Sequence, residues 1–529
     1  MLGGLAHLIL LLAGLGGGPV QPGYGNTPSL TPLTPAQQEE QITAVQAYDN
    51  NDWATALPLF TQLAALGDAR AETDLGMMYE NGWGVTQDSD KGFALQMQAV
   101  AQHYGKAEDH LGDMYRDRGD QISATHWLWL SAQHGDANGE DDLGWQFYRG
   151  YGVPEDDALA AHWFSLSAAQ GNPGGEYALG VTYENGTGVP QDYAHAMRLQ
   201  EAAAAQGETS SMCALGTMYR DGEGTTRDYG TAMDWYKQAA GDGDDCGDTG
   251  AGFLYDLGLG VPRSETIALQ WYKVAANDGD AMGENDVGAM YHRGAGGVPQ
   301  DFVQAAYWFG LAADQGNATA EMNLATLYIN GQGVNHNDVR GFTLDQMAAA
   351  QNEPHAEEQL GNAYRLGYAT RIDYNQAATF YARAAGHGLP QSQQALAYLY
   401  ETGQGVPRDD ATAYKWYLIS QAVTVHPIIE NDERCQEFAA LPVLNLADIQ
   451  AHLTTAEAVQ AQMAANAWLA AHQPLHGSAD RHVSRWVFYA GFILVLFLIS
   501  VLLLISLVRR HVIGRHSGGT PPGADEPRQ

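Results

Sequence analysis

Apolar and small residues recur in a fixed order along most of the chain. The pattern Leu-Gly-x-x-Tyr-x-x-Gly-x-Gly-Val begins at ten places whose spacings run from 32 to 37 residues. A period of that size, repeated ten times, predicts stacked supersecondary units rather than three or four separate domains. The repeats begin at Leu75, Leu111, Leu143, Leu179, Leu215, Ala251, Val287, Leu324, Leu360 and Leu396.

The repeat that contains Leu179 illustrates the first half of each unit. Apolar residues such as Leu179 and Tyr183 recur every three to four positions, which predicts an α-helix. Gly180 lies on this helix, where the missing side chain allows a neighbouring helix to approach closely. Gly186 and Gly188 end the helix, because they supply turn conformations that other residues adopt only with strain.

A second helix is expected after each turn. Asp192 lies where its carboxylate would cap that helix, and a large apolar residue follows seven positions after such a cap, as Trp235 does beside Tyr236 in the next repeat. The helix closes on small residues, Ala239 and Ala240, which permit tight packing. The same acidic cap recurs at Asp88, Asp156, Asp228, Asp301, Asp373 and Asp409.

This pattern closely resembles the Sel-1-like repeat family, a relative of the tetratricopeptide repeats, over about residues 69–425. The resemblance implies an all-α fold, a right-handed α-solenoid of about ten antiparallel helix pairs. It also implies a scaffold or adaptor that binds proteins and is not an enzyme. Two repeats depart from the pattern, and altered loops are expected there. The second lacks four residues between Tyr115 and Trp127, and the ninth has Tyr368-Ala369-Thr370 in place of Gly-x-Gly-Val.

A C-terminal transmembrane helix is predicted at residues 486–508, which hold 23 residues without a charge. At about 1.5 Å per residue this segment is long enough for a hydrocarbon core of about 30 Å. Arg509, Arg510 and Arg515 follow it and predict a cytoplasmic C-terminus, although Arg481 and Arg485 flank the other end. Residues 5–15 are apolar but too short to span, which favours a secretory signal; an uncleaved anchor or a misassigned start are the alternatives.

The predicted organisation follows from these features. Residues 1–18 are a signal peptide, 19–38 a flexible linker, and 39–425 the repeat array, opened by a half-repeat at 44–67. Residues 426–472 are a helical region that caps the last repeat. They are followed by a juxtamembrane linker at 473–485, the transmembrane helix at 486–508, and a disordered cytoplasmic tail at 509–529.

The net charge of −36 is unevenly distributed. The chain from Arg481 onward has six basic and two acidic residues, which leaves 20 basic and 60 acidic residues before it. A nucleic-acid partner is therefore not expected, because such partners require a basic surface. The acidic array would steer partners with basic segments toward it, or serve solubility and self-repulsion alone.

No catalytic, cofactor or metal motif is found in the sequence, and none is predicted. His472, His476 and His482 form a loose group before the predicted membrane segment. Either they bind a metal or sense pH, or they are solvated linker residues. Cys213 and Cys246 lie in adjacent repeats, where they form either a disulfide in an oxidising compartment or two buried thiols. Cys435 has no evident partner. Trp145, Tyr148 and Tyr151 are either binding anchors or part of the repeat core.

The sequence therefore predicts a membrane-tethered, non-catalytic scaffold that binds proteins through an acidic helical surface. A bacterial inner-membrane protein with its repeats in the periplasm is favoured, because the segment at 447–472 looks like the closing segment of bacterial members. A eukaryotic ER-membrane degradation receptor of similar plan is the alternative, and an envelope enzyme or regulator that uses the repeats as a platform also stays open.

Overall fold

The computed structural model describes residues 33–424 and 446–472. These residues form 24 α-helices and no strands, and the chain divides into two compact units at residues 1–337 and 338–529. Several predicted segments lie outside the described residues. They are the signal peptide, residues 19–32 of the first linker, residues 426–445, the juxtamembrane linker 473–485, the transmembrane helix 486–508 and the cytoplasmic tail 509–529. Within the described ranges, no helix combines the length and the apolar character needed to cross a membrane.

Unit 1 contains seventeen helices in its described residues. Each repeat pairs a first helix with an antiparallel second helix, and successive first helices also contact each other. The helices are α1 (Pro35–Asp49), α2 (Trp53–Ala65), α3 (Ala69–Asn81), α4 (Ser89–Val100), α5 (Gly105–Asp117), α6 (Gln121–Gln133), α7 (Ala137–Arg149), α8 (Asp157–Ala169), α9 (Pro173–Asn185), α10 (Tyr193–Ala205), α11 (Thr209–Asp221), α12 (Tyr229–Gly241), α13 (Asp245–Leu257), α14 (Glu265–Asp278), α15 (Ala281–Arg293), α16 (Phe302–Asp314) and α17 (Ala318–Asn330).

Unit 2 contains the remaining seven helices. They are α18 (Asp338–Ala350), α19 (Pro354–Leu366), α20 (Tyr374–Gly386), α21 (Pro390–Thr402), α22 (Asp410–Thr424), α23 (Leu446–His452) and α24 (Thr455–Ala471). The last two pack on α22, where Ile449 and Ala461 join Tyr414 and Tyr417 in one buried cluster. These two helices therefore cover the end of the last repeat, where the sequence predicts a cap.

The repeat turns share one construction outside the second repeat, which α9 and α10 illustrate. Gly186 and Gly188 both adopt left-handed backbone conformations, with φ of 71° and 72°. A Cβ at Gly188 would also collide with the backbone carbonyl of Asp157. The backbone N–H of Asp192 then donates to the Tyr183 carbonyl at 2.9 Å, which closes the turn. The Asp192 carboxylate accepts from the backbone N–H of His195 at 2.9 Å, which caps α10.

The two exceptional repeats behave differently from each other. In the second repeat only residues 118–120 connect α5 to α6, so the loop is shortened as expected. In the ninth, the prediction of an altered loop is wrong. Gly367 and Ala369 hold φ of 79° and 57°, and the backbone N–H of Asp373 donates to the Tyr364 carbonyl at 2.9 Å, as in the other turns. Alanine at 369 adopts the left-handed conformation that glycine adopts elsewhere.

The array begins earlier than predicted. Helix α1 starts at Pro35, inside the segment assigned to the flexible linker. Thr34 and Gln37 form a reciprocal capping box, and proline at the first helical position fixes a suitable φ. The segment predicted as a half-repeat is thus part of a complete helix pair, α1 and α2. Trp53 of α2 stacks on Trp83 at 5.3 Å and joins this pair to the first repeat.

Candidate functional site: an acidic row on the first helices

The repeat positions singled out in the sequence have packing roles. Tyr236 and Ala239 are fully buried, whereas Trp235 and Ala240 are half-buried. A Cβ at Gly180 would come within 2.9 Å of Gln200 Cδ on α10, so a larger residue there would force the Gln200 side chain to move. Leu179 is buried beside Gly180. The ten positions are thus distributed over helix cores, turns and caps and do not converge on one site.

A second recurring element is a glutamate in the first turn of most first helices, which is buried or half-buried. In four repeats it accepts a hydrogen bond of 2.7–2.8 Å from a glutamine that lies just after the second helix. Burial is also the main cause that raises the pKa of Glu72, to about 7. These glutamates therefore serve the packing of the helices and are not part of an exposed acidic surface. The four pairs are Glu72–Gln102, Glu140–Gln170, Glu176–Gln206 and Glu284–Gln315.

Other carboxylates of unit 1 lie in two groups on or just after the first helices, and we call the two groups together the acidic row. It consists of Asp109, Asp113, Asp142, Glu184, Asp221 and Glu223. Carboxylate oxygens of Asp109, Asp113 and Asp142 lie within 4.8 Å of one another. Such oxygens could hold a hard cation, but Arg116 already pairs with Asp113 at 2.6 Å and with Asp142 at 3.1 Å.

The second group of the row lies on α9, at the end of α11 and in the turn that follows α11. Burial, together with the negative charges of Glu223 and Asp221, raises the pKa of Glu184 to about 7. Arg220 pairs with Asp221 at 2.6 Å, and this guanidinium lies 5.2 Å from the Phe253 ring. The row therefore has fewer cationic groups than carboxylates.

Crowding in the row is visible in the pKa values. Burial and the neighbouring Asp142 raise the pKa of Asp113 to about 6, although Arg116 acts in the opposite direction. Asp109 is buried, and one of its carboxylate oxygens has no hydrogen-bond partner. Carboxylates that are held close together without enough counter-charge favour an incoming cationic group.

We expect the protein to be less stable at pH 8 than at pH 5. Burial and Asp142 raise the pKa of Asp141 to about 7, and the pKa values of Asp113 and Glu184 are also raised. The folded protein therefore binds more protons than the unfolded chain across this range, so the free energy of unfolding falls as the pH rises. His110, whose pKa burial lowers to about 4, opposes this trend as a single group.

Asp141→Asn tests this dependence directly. The variant should gain about 1–2 kcal/mol at pH 8 and less than half of that at pH 5, because it removes a carboxylate whose ionisation the fold disfavours. Asp90→Asn, at an exposed position on α4, is the control and should leave the dependence unchanged. Thermal unfolding at the two pH values measures both. A dependence identical in wild type and Asp141→Asn would contradict the assignment.

Cys213 and Cys246 form a disulfide, with their Cα atoms 6.1 Å apart. The bond joins α11 to α13, the first helices of adjacent repeats. Of the two alternatives that the sequence leaves open, the structure has the disulfide and not the pair of buried thiols. Cys435, His476 and His482 lie outside the described residues, and His472 stacks on Trp468 at 3.9 Å.

Of the three aromatic residues singled out in the third repeat, two belong to the packing of the core and one is exposed. Trp145 packs edge-on against Phe164 at 5.2 Å and against Tyr148 at 5.4 Å, and both Trp145 and Tyr148 border the buried core of that repeat. Core packing accounts for these two rings. Tyr151 is exposed in the following turn and is available for contacts with other molecules.

The stacked helix pairs, the shared turn and cap geometry and the contacts between first helices of unit 1 define an α-helical repeat protein. The Sel1 repeat family matches the chain in nine stretches, and the chain belongs to this family. The second repeat, with the shortened loop, falls outside the matched stretches. They cover residues 69–95, 139–172, 173–208, 209–244, 249–280, 281–317, 318–353, 354–389 and 390–420.

Curated relatives match only short parts of the chain. Protein sel-1 homolog 2 of Mus musculus is 39% identical over 71 residues, which are 13% of this chain and 10% of that protein. The ERAD-associated E3 ubiquitin-protein ligase component HRD3A of Arabidopsis thaliana is 35% identical over 78 residues, 15% of this chain and 12% of that protein. The chain thus spans about a tenth of the length of the curated relatives it matches.

Solved structures of the same fold type are also similar. A protective antigen of uropathogenic Escherichia coli strains that displays an SLR fold is 26% identical, with a TM-score of 0.45; the match covers 84% of this chain and 94% of that one. A Sel1 repeat protein from Oxalobacter formigenes is 27% identical with a TM-score of 0.40, over 46% and 96% of the two chains. Sel1 repeat proteins generally bind proteins, and the fold is typically a scaffold.

Proposed function

We propose that this chain is a non-catalytic scaffold, tethered to a membrane by residues 486–508, that binds partner proteins with basic segments through the acidic row. The observation that carries the proposal is the excess of carboxylates over cations on neighbouring first helices. Burial is the main cause that raises the pKa values of Asp113 and Glu184, and the negative charges of nearby carboxylates raise them further. Lysine or arginine side chains of a partner would supply the missing counter-charge.

Partner capture at two salt concentrations tests this proposal. The full-length protein in detergent should retain partner proteins at about 50 mM salt and lose most of them at about 500 mM, because screening weakens contacts between exposed charges. The variant Asp113→Asn/Glu184→Gln/Glu223→Gln should lose the same proteins at low salt. It should fold normally, since the fold disfavours the charged form of all three carboxyls.

A charge-matched control separates the row from overall acidity. Asp90, Glu201 and Asp234 are exposed carboxylates on the second helices α4, α10 and α12. Neutralising these three should leave capture unchanged. Equal loss from both triple variants would mean that net charge alone attracts the proteins, and retention by both would sink the proposed interface.

We further propose a non-cytoplasmic array with a cytoplasmic C-terminus, as in a bacterial inner-membrane protein with periplasmic repeats. The disulfide between Cys213 and Cys246 supports this placement, because disulfides persist mainly in oxidising compartments. A C-terminal fluorescent fusion should be active in the cytoplasm, whereas alkaline phosphatase fused after residue 480 should be active outside it. The opposite pattern would reject this topology. A place in the ER membrane is the alternative, suggested by the partial likeness to the plant ubiquitin-ligase component.

A further inference from the structure

Two histidines and a glutamate meet at one end of the first repeats. His103 follows α4, Glu108 lies in the first turn of α5, and His134 ends α6. One donor atom from each side chain lies within 4.8 Å of the other two. His134 Nδ1 is 2.5 Å from Glu108 Oε2, and the two imidazole rings have centroids 5.1 Å apart. We call these three residues the His–Glu–His cluster.

Both histidines replace the residue types that most other repeats use. Glutamine stands at the position of His134 in the Glu72–Gln102 pair and its equivalents, where it donates to the buried glutamate. Donation to Glu108 would therefore be enough to explain His134. It does not explain His103, which holds a left-handed φ of 58°. Glycine has this conformation at the equivalent positions Gly67, Gly135, Gly171, Gly207, Gly243, Gly279, Gly316 and Gly388.

A strained conformation at a non-glycine residue is retained where the surrounding structure or a function requires that side chain. The imidazole of His103 is the part of the residue that glycine cannot supply, and it faces His134 and Glu108. Solvent reaches the cluster, because the His134 side chain is 29% exposed and His103 is half-buried. Glu108 is almost fully buried beneath them.

We propose that the His–Glu–His cluster binds one first-row transition-metal ion, with Zn²⁺ the ion best suited to it. Two imidazole nitrogens and one carboxylate oxygen are a common ligand set for zinc, and water would complete a four-coordinate site. Ca²⁺ and Mg²⁺ are disfavoured because they prefer oxygen ligands alone. The negative charge of Asp136, which acts on Glu108, favours a cation here. Neutral imidazoles and an ionised carboxylate are the binding forms, so metal loading releases protons.

The chain itself offers the variants for the test. His103→Gly/His134→Gln restores the residues of the other repeats, so we expect it to fold at least as well as wild type. His387→Gln is the matched control: His387 occupies the position of His134 in the ninth repeat and lies 3.7 Å from Glu357. Asn352 there takes the place of His103, with a φ of 64°. The group of Glu357, His387 and Asn352 therefore has one histidine, whereas the His–Glu–His cluster has two.

The experiment is zinc titration of the detergent-solubilised full chain after treatment with EDTA and dialysis. Wild type and His387→Gln should each bind about one more Zn²⁺ per chain than His103→Gly/His134→Gln, whose affinity at this site should fall about tenfold or more. Melting temperature in EDTA serves as the folding control. If the double variant unfolds, His134→Gln alone replaces it. Equal zinc stoichiometry and affinity in all the variants would overturn the proposal.

The ligands can also be identified without any variant. X-ray absorption at the zinc edge of the loaded wild-type chain should give nitrogen and oxygen scattering typical of two imidazoles. Sulfur in the first coordination sphere would instead place the ion at cysteine thiolates, such as those of Cys213 and Cys246 after reduction of their disulfide, and would overturn the assignment.

Discussion

Replacement of Tyr236 by alanine should lower the free energy of unfolding by about 3–5 kcal/mol. The ring is 1% exposed and lies between two glycines, Gly216 on α11 and Gly250 on α13. A Cβ at these glycines would stand only 2.6 and 2.5 Å from ring carbons, so the helices approach as far as the ring allows. Its hydroxyl shares a hydrogen bond of 3.0 Å with the Thr217 hydroxyl. Alanine would leave a cavity between two repeats that their backbones cannot fill.

Urea unfolding measures this cost, and Tyr307→Ala provides the control. Tyr307 lies on the second helix α16 but is 56% exposed, so its loss should cost much less, about 0.5 kcal/mol or less. Losses of similar size in the two variants would show that Tyr236 is not the packing centre described here.

Reduction of the disulfide between Cys213 and Cys246 should destabilise the oxidised protein by about 3–4 kcal/mol. The bond closes a loop with a sequence separation of 33 residues, and its main effect is to restrict the unfolded chain. It also fastens α11 to α13 next to the core around Tyr236. Unfolding with and without dithiothreitol measures the effect.

Cys213→Ala/Cys246→Ala should be about as stable as the reduced wild type and should not respond to dithiothreitol. Cys435→Ala is the control and should keep the full response to reduction. A wild-type protein whose stability is unaffected by dithiothreitol, with free thiols detected at both positions before reduction, would contradict the pairing.

The repeat structure could be predicted because each unit places the same residue types at the same register. Gly186, Gly188 and Asp192 act within a few residues of one another, so local rules for turns and caps are sufficient. The same rules failed at Ala369, where a non-glycine residue adopts a left-handed conformation and the Asp373 N–H still closes the turn. The predicted start of the array lies too far along the chain, because a capping box already starts α1 at Pro35.

The contacts between helices could not be predicted in this way. Glu108 and His134 are 26 residues apart, and their meeting depends on how α5 packs against α6. The acidic row likewise requires neighbouring first helices to bring Asp113 and Asp142 to one Arg116. The sequence does contain a signal for the glutamate–glutamine pairs. Glutamine recurs just before the residue, usually glycine, that follows the second helix, and this glutamine is the donor to the glutamate.

Photo-crosslinking tests the central claim, that partner proteins bind the acidic row, most directly. A photoreactive amino acid would replace Asp113, Glu184 or Glu223 in the full-length protein in cells, and Asp90, Glu201 or Asp234 in matched controls. We predict crosslinks to other proteins from the row and few or none from the second helices. Crosslinks that form only from the second helices, or equally from both sets, would contradict the account.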